Sequence, residues 1–212
     1  MRAVLFDLDG TVTDPAEGIT NSVAYALSAF GITVRDRSEL YRFIGPPLRR
    51  SFSEYYGLSA ADAETAVEYY REYYRPKGIF ECSLYDGIED TFKALCEAGY
   101  KLALATAKPE IFAEKIAKHF GLDAYPSCIS GASLDSSRED KAEIISIALK
   151  ALDIKDPSAS FMAGDRAYDI EGGAKNGLFT IGALYGYGTE EELSSACAAA
   201  KTPYDIAKII LK

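Results

Sequence analysis

The chain has 212 residues, 48% of them apolar and 26% charged, an ordinary balance for a globular protein with a real hydrophobic core. A formal net charge of −9 sets an averaged field that repels nucleic acid, so no nucleic-acid partner is expected. No apolar run approaches the roughly 18–20 residues that span a bilayer, and the first apolar run is too short for a signal peptide. A cytoplasmic protein with no membrane partner is therefore the expectation.

The cysteines Cys82, Cys96, Cys128 and Cys197 are scattered, no C-x-x-C pair exists, and the single histidine is His119. A zinc site built from Cys and His lacks clustered ligands. Free thiols, buried or half-buried, are expected.

In chain order, the first apolar run predicts a strand over 4–6 that runs straight into Asp7 and Asp9, with Gly10 and Thr11 behind. Asp14-Pro15-Ala16-Glu17 carries an N-cap, an N1 proline and an N3 glutamate, the signals of a helix start. Ile19, Val23, Leu27 and Phe30 follow at helical spacing, and Gly31 suits the stop. Further helices are predicted over 38–43, 47–56 and 59–74, with no convincing strand between 14 and 82. Eight of the fifteen tyrosines fall in this segment, many as adjacent pairs, and amphipathic packing explains them better than a recognition surface. Beyond it come a helix over 88–97, strands over 102–105 and 127–129, a helix over 141–152, and strands over 161–163 and 180–183. Short, continuously apolar strands separated by helices predict an α/β fold with a doubly wound parallel sheet covered on both faces. The core is read as residues 1–13 and 83–212. A small all-helical domain, residues 14–82, is inserted after the first strand, above that strand's carboxyl end.

Four polar fragments follow the apolar elements: Asp7-Leu8-Asp9-Gly10-Thr11, then Thr106-Ala107-Lys108-Pro109, then Lys141 opening a helix, then Gly164-Asp165-Arg166-Ala167-Tyr168-Asp169. Alone, each is also what helix capping or a solvated helix face provides. Together they require three buried strands to end in polar residues on the edge that a parallel sheet shares, so Asp7, Thr106 and Asp165 should converge.

The order and spacing of these fragments resemble the haloacid dehalogenase superfamily of phosphotransferases over essentially the whole chain. The helical insert after the first motif, Phe43-Ile44-Gly45-Pro46-Pro47-Leu48 within it, and Tyr185-Gly186-Tyr187-Gly188 near the end resemble the phosphoglycolate-phosphatase-like subgroup. That resemblance implies a Mg²⁺-dependent phosphatase with a Rossmann-like core and a helical cap of the first (C1) type. It implies Asp7 as nucleophile forming an aspartyl-phosphate, and Asp9 as general acid and base. It implies Thr106 and Lys141 as donors to the phosphoryl oxygens. The metal ligands would be the Asp7 carboxylate, the Asp9 backbone carbonyl and the Asp165 carboxylate, with Asp169 reaching the ion through water. Ala107, where relatives often carry Ser or Asn, and Pro15, where many carry Ser, depart from the pattern without removing a catalytic group.

The substrate is expected to be a small soluble phosphorylated metabolite: phosphoglycolate-like, a sugar phosphate or a nucleotide. Arg49, Arg50 and Lys77 are possible contacts to a second anionic group, although a solvated helix face explains Arg49 and Arg50 as well. A phosphomutase on the same scaffold and a non-catalytic phosphate-binding protein are the alternatives, and the chain is read as a monomer or homodimer.

Overall fold

The computed structural model describes residues 1–135 and 137–212. The chain forms two compact units, one of residues 1–14 and 84–212 and the other of residues 15–83. Two-residue strands β2 (Thr13–Asp14) and β3 (Ser83–Leu84) stand where the chain passes from one unit to the other.

The first unit is built on strands β1 (Ala3–Phe6), β4 (Lys101–Pro109), β5 (Pro126–Ala132), β6 (Phe161–Gly164), β7 (Phe179–Ala183) and β8 (Ala198–Ala200). Their order is β5-β4-β1-β6-β7-β8, and every pairing is parallel. From the central β1 the chain winds outward to β5, returns, and winds outward again to β8. The direction of winding thus reverses beside β1, where doubly wound sheets hold their ligands. All four residues of β1 are fully buried, because both faces of the sheet are covered. Ala3 and Leu5 face one cluster with Ala103, Ala105, Ile144, Ile145, Ala148 and Met162, in which α6 (Lys141–Ala151) supplies the isoleucines. Phe6 packs its ring 4.9 Å from Phe92 on α4 (Ile88–Glu97). Continuous apolar strands are the sequence mark of this two-sided burial.

The helices α5 (Glu110–His119), α7 (Ala167–Lys175) and α8 (Pro203–Ile210) complete this unit. Each predicted strand is present, but two features differ from expectation. β4 continues beyond Ala105 to Pro109, and β8, made of three alanines, has too little β-branched character to announce itself. Of the thiols, Cys96 and Cys197 are exposed, and only Cys82 and Cys128 are partly covered.

The second unit contains α1 (Ala16–Ala29), α2 (Leu48–Tyr56) and α3 (Ala60–Tyr74), with 3-10 segments at Arg37–Phe43 and Gly78–Phe80. The predicted helix over 38–43 is therefore a 3-10 element. Pro15, not Asp14, occupies the cap position of α1 and makes no side-chain cap bond; the Asp14 carboxylate instead accepts from the Tyr187 hydroxyl. Gly31 ends α1 as expected, at φ 72°, its N–H donating to Ser28 O and that of Ile32 to Leu27 O. Several of the tyrosines pack: Tyr70 stacks on Tyr74 with ring centroids 5.2 Å apart, and Phe43 contacts Phe52, Tyr55 and Tyr56, whereas Tyr25 and Tyr41 are exposed. No described helix is long and apolar enough to cross a membrane.

Candidate active site

Three neighbouring strands deliver the site. β1 passes directly into Asp7 and β6 into Asp165, and β4 flanks β1 on its other side, with Phe6 in register with Leu104 and Ala163. Parallel strands in this register bring their carboxyl ends to one edge. The Asp7 N–H donates to Ala163 O at 2.9 Å, which fixes the first turn beyond β1 against β6.

Lys141 is the first residue of α6, whose N-cap Asp140 accepts from the Ala142 N–H at 2.6 Å. This start directs the Lys141 ammonium inward, where it donates to Asp7 Oδ1 at 2.7 Å and to Ala105 O at 2.9 Å. It also stands 2.7 Å from Asp169 Oδ1. Burial alone would lower the Lys141 pKa, but the Asp169 and Asp7 carboxylates outweigh it and raise it above the usual lysine value.

Asp169 sits in the first turn of α7, and its Oδ2 accepts from the Arg166 N–H at 3.0 Å. Its Oδ1 is buried and pairs with the Lys141 ammonium. Burial, opposed by Lys141 and reinforced by Asp7, pushes the Asp169 pKa up to about 6. Burial and the Asp7 and Asp169 charges push Asp165 well above the ordinary carboxylate range. One carboxylate oxygen from each of Asp7, Asp165 and Asp169 lies within 4.8 Å of the others. Three crowded, buried carboxylate oxygens form a hard-ligand set that suits a divalent cation such as Mg²⁺. Formally, the four carboxylates of Asp7, Asp9, Asp165 and Asp169 and the ammonium groups of Lys141 and Lys108 leave two negative charges, which such an ion would neutralise.

Asp9 stands apart from this trio. Its carboxylate pairs with the Lys108 ammonium and accepts from the Thr13 hydroxyl at 3.4 Å. Thr106 is buried, directly after the Ala105 carbonyl that binds Lys141, and its hydroxyl accepts from the Lys108 N–H at 3.2 Å. The structure thus gathers Asp7, Lys141, Asp165 and Asp169, and joins Asp9 and Thr106 through Lys108. Sequence reasoning assigned Lys108 no role, although an amine just after an apolar strand was the signal available.

The Tyr185-Gly186-Tyr187-Gly188 loop closes the back of the site. The Tyr187 N–H donates to Asp165 Oδ2 at 2.8 Å, and the Tyr185 hydroxyl donates to Thr11 O at 2.8 Å. Burial and the Asp165 charge raise the Tyr185 pKa, which keeps that phenol a donor. Glu192 secures the segment after Asp165 by accepting from Arg166 Nε at 2.8 Å and the Ala167 N–H at 2.9 Å. In the second unit, Arg49 pairs with Glu64, Arg50 with Glu54 and Lys77 with Glu81, all with exposed cations, as a solvated surface requires.

Residues 4–183 match the model of the haloacid dehalogenase-like hydrolase family. The chain belongs to this family. It is 45% identical over 192 residues to a 5'-nucleotidase of Pseudomonas aeruginosa, covering 90% of this chain and 86% of that one. It is 38% identical over 187 residues to the tyrosine-protein kinase PtkA of Mycobacterium tuberculosis; the match covers 88% of this chain but 63% of PtkA. The crystal structure of a predicted phosphatase from Clostridium acetobutylicum superposes with a TM-score of 0.92 at 45% identity, covering 99% of this chain and 98% of that one. The α/β architecture and the hydrolase family agree with the sequence expectation, and the chain is a phosphatase of the phosphoric monoester hydrolase class.

Proposed function

We propose that this enzyme is a Mg²⁺-dependent phosphatase of small soluble phosphate monoesters, working through an aspartyl-phosphate on Asp7. The observation that carries the reading is the buried Asp7–Lys141–Asp169 arrangement beside Asp165, a cluster too costly to retain as packing. An Asp7 oxygen attacks phosphorus as the ester P–O bond breaks, and the departing alkoxide takes a proton from the Asp9 carboxyl group. Asp9, now ionised, accepts a proton from water as that water attacks the aspartyl-phosphate. Inorganic phosphate leaves and Asp7 is regenerated. Thr106 and Lys141 donate to the phosphoryl oxygens, and Lys141 also holds Asp7 in line.

Asp7, Asp165 and the Asp9 carbonyl would hold Mg²⁺, with Asp169 close enough to serve directly or through water. The ion supplies charge neutralisation for an anionic phosphoryl group.

Among small esters, a nucleoside 5'-monophosphate is the substrate class we favour, supported by the 45% identity to a protein called a 5'-nucleotidase. Phosphate release from a panel of nucleotides, sugar phosphates and phosphoglycolate, with Mg²⁺ and with EDTA, tests this reading. It requires Mg²⁺-dependent release with the nucleotides turned over best. Phosphoryl transfer to a second sugar hydroxyl without phosphate release would replace it with a mutase.

A further inference from the structure

Lys108 is a buried cation with no part in the reaction as derived above. Its side chain is 6% exposed, and it meets the Asp9 carboxylate across ninety-nine positions of sequence. Lysine is almost never buried without a partner, so what aims it matters. From Ala103 opposite Cys128 to Thr106 opposite Gly131, β4 pairs with β5 residue by residue, and the next pair is Pro109 with Ala132. Ala107 and Lys108 are thus the extra residues of a bulge. Ala107 is exposed while Lys108 turns inward, and the bulge is pinned by the Lys108 N–H on the Thr106 hydroxyl. Bulges beside reactive centres commonly re-aim one side chain. A buried ion pair is a poor device for stability, because an apolar pair of similar volume usually does as well. The bulge and the pair make sense if the position of the Asp9 carboxylate is what they control.

We propose that Lys108 is a positioning residue for Asp9: the ammonium holds one carboxylate oxygen while Thr13 engages the other, so the acid meets the leaving oxygen in a fixed orientation. This rests on the reading of Asp9 as general acid and extends it to a residue of the second fragment to which the resemblance assigns no role.

An acid is needed most when the leaving alkoxide is poor. An alkyl ester such as a nucleoside 5'-monophosphate depends on it, whereas p-nitrophenolate leaves with little help. Loss of general acid catalysis costs ~10²–10⁴ in rate. The test measures kcat/KM for both esters, with Mg²⁺, in the wild type and in Lys108→Met, Lys108→Arg and Asp9→Asn. The expected result is a loss on the alkyl ester at least ~10-fold larger than on p-nitrophenyl phosphate in Lys108→Met, with most activity restored in Lys108→Arg. Equal losses on both esters, or no loss, would overturn the proposal. Asp9→Asn separates the two layers. If it discriminates between the esters and Lys108→Met does not, only the Lys108 assignment fails; if it does not discriminate, the acid role of Asp9 fails and this inference with it. Melting curves identify a variant that has lost its fold, in which case Lys108→Gln carries the same comparison.

Discussion

Lys141 Nζ stands 2.7 Å from both Asp7 Oδ1 and Asp169 Oδ1, one ammonium between a carboxylate at the end of β1 and one in the first turn of α7. Removing it leaves two buried carboxylates facing each other. Lys141→Met should therefore destabilise the metal-free protein by about 3–5 kcal/mol, measured by urea unfolding in EDTA. Adding Asp169→Asn should recover part of that loss, since one of the stranded charges is then gone. Strict additivity in this double-mutant cycle would show that the two residues do not interact.

The crowding of Asp7, Asp165 and Asp169 within 4.8 Å makes a divalent ion stabilising in the native state only. At a hundredfold excess over its dissociation constant, Mg²⁺ should contribute about 2.7 kcal/mol. At roughly 2–4 °C per kcal/mol for a chain of this size, the melting temperature should rise by about 5–10 °C over that in EDTA. Asp165→Asn should remove most of the rise. An unchanged melting temperature in millimolar Mg²⁺ would count against the site.

Gly186 touches the site through what it lacks. A Cβ there would overlap the Gly10 carbonyl and the Asp165 side chain. Gly186→Ala should push Asp165 off its seat on the Tyr187 N–H and weaken Mg²⁺ affinity by about 10–100-fold, as lost support of a ligand generally does. Calorimetric titration with Mg²⁺ reads the effect directly, without recourse to turnover.

Cys197 is exposed, and a hydrogen bond from the Thr180 hydroxyl, at 3.5 Å to the sulfur, lowers its thiol pKa. Burial raises those of Cys96 and Cys128. The lowered group reaches its thiolate form first as pH rises, and the thiolate is the nucleophile. Iodoacetamide near neutral pH should therefore modify Cys197 ahead of Cys96 and Cys128, and Thr180→Val should shift its pH–rate profile upward. Peptide mapping that finds Cys128 modified first would contradict this order.

The sheet was legible because its strands are buried on both faces: Ala3-Val4-Leu5-Phe6 has no polar interruption until the chain leaves the core at Asp7. The convergence of Asp7 and Asp165 follows from parallel topology, which alternating strands and helices announce. Lys108 was not legible as a partner of Asp9, because a bulge shifts register without any mark in the side-chain pattern. Asp14 misled for a related reason: it has the chemistry of a helix cap, and a phenol from Tyr187, distant in sequence, claims it instead. Asp169 is expected from the resemblance to reach the metal through water, and only the fold reveals that its buried Oδ1 pairs with the Lys141 ammonium. Contacts made across long stretches of chain leave the least trace in local pattern.

The central claim is that Asp7 carries the phosphoryl group during turnover. Acyl phosphates are reduced by borohydride to alcohols, so enzyme quenched during turnover and treated with borohydride records the site as a mass change. The expected result is conversion of Asp7 to homoserine in the amino-terminal peptide, dependent on both substrate and Mg²⁺. Phosphate release with Asp7 unmodified, or with another carboxylate reduced in its place, would contradict the assignment.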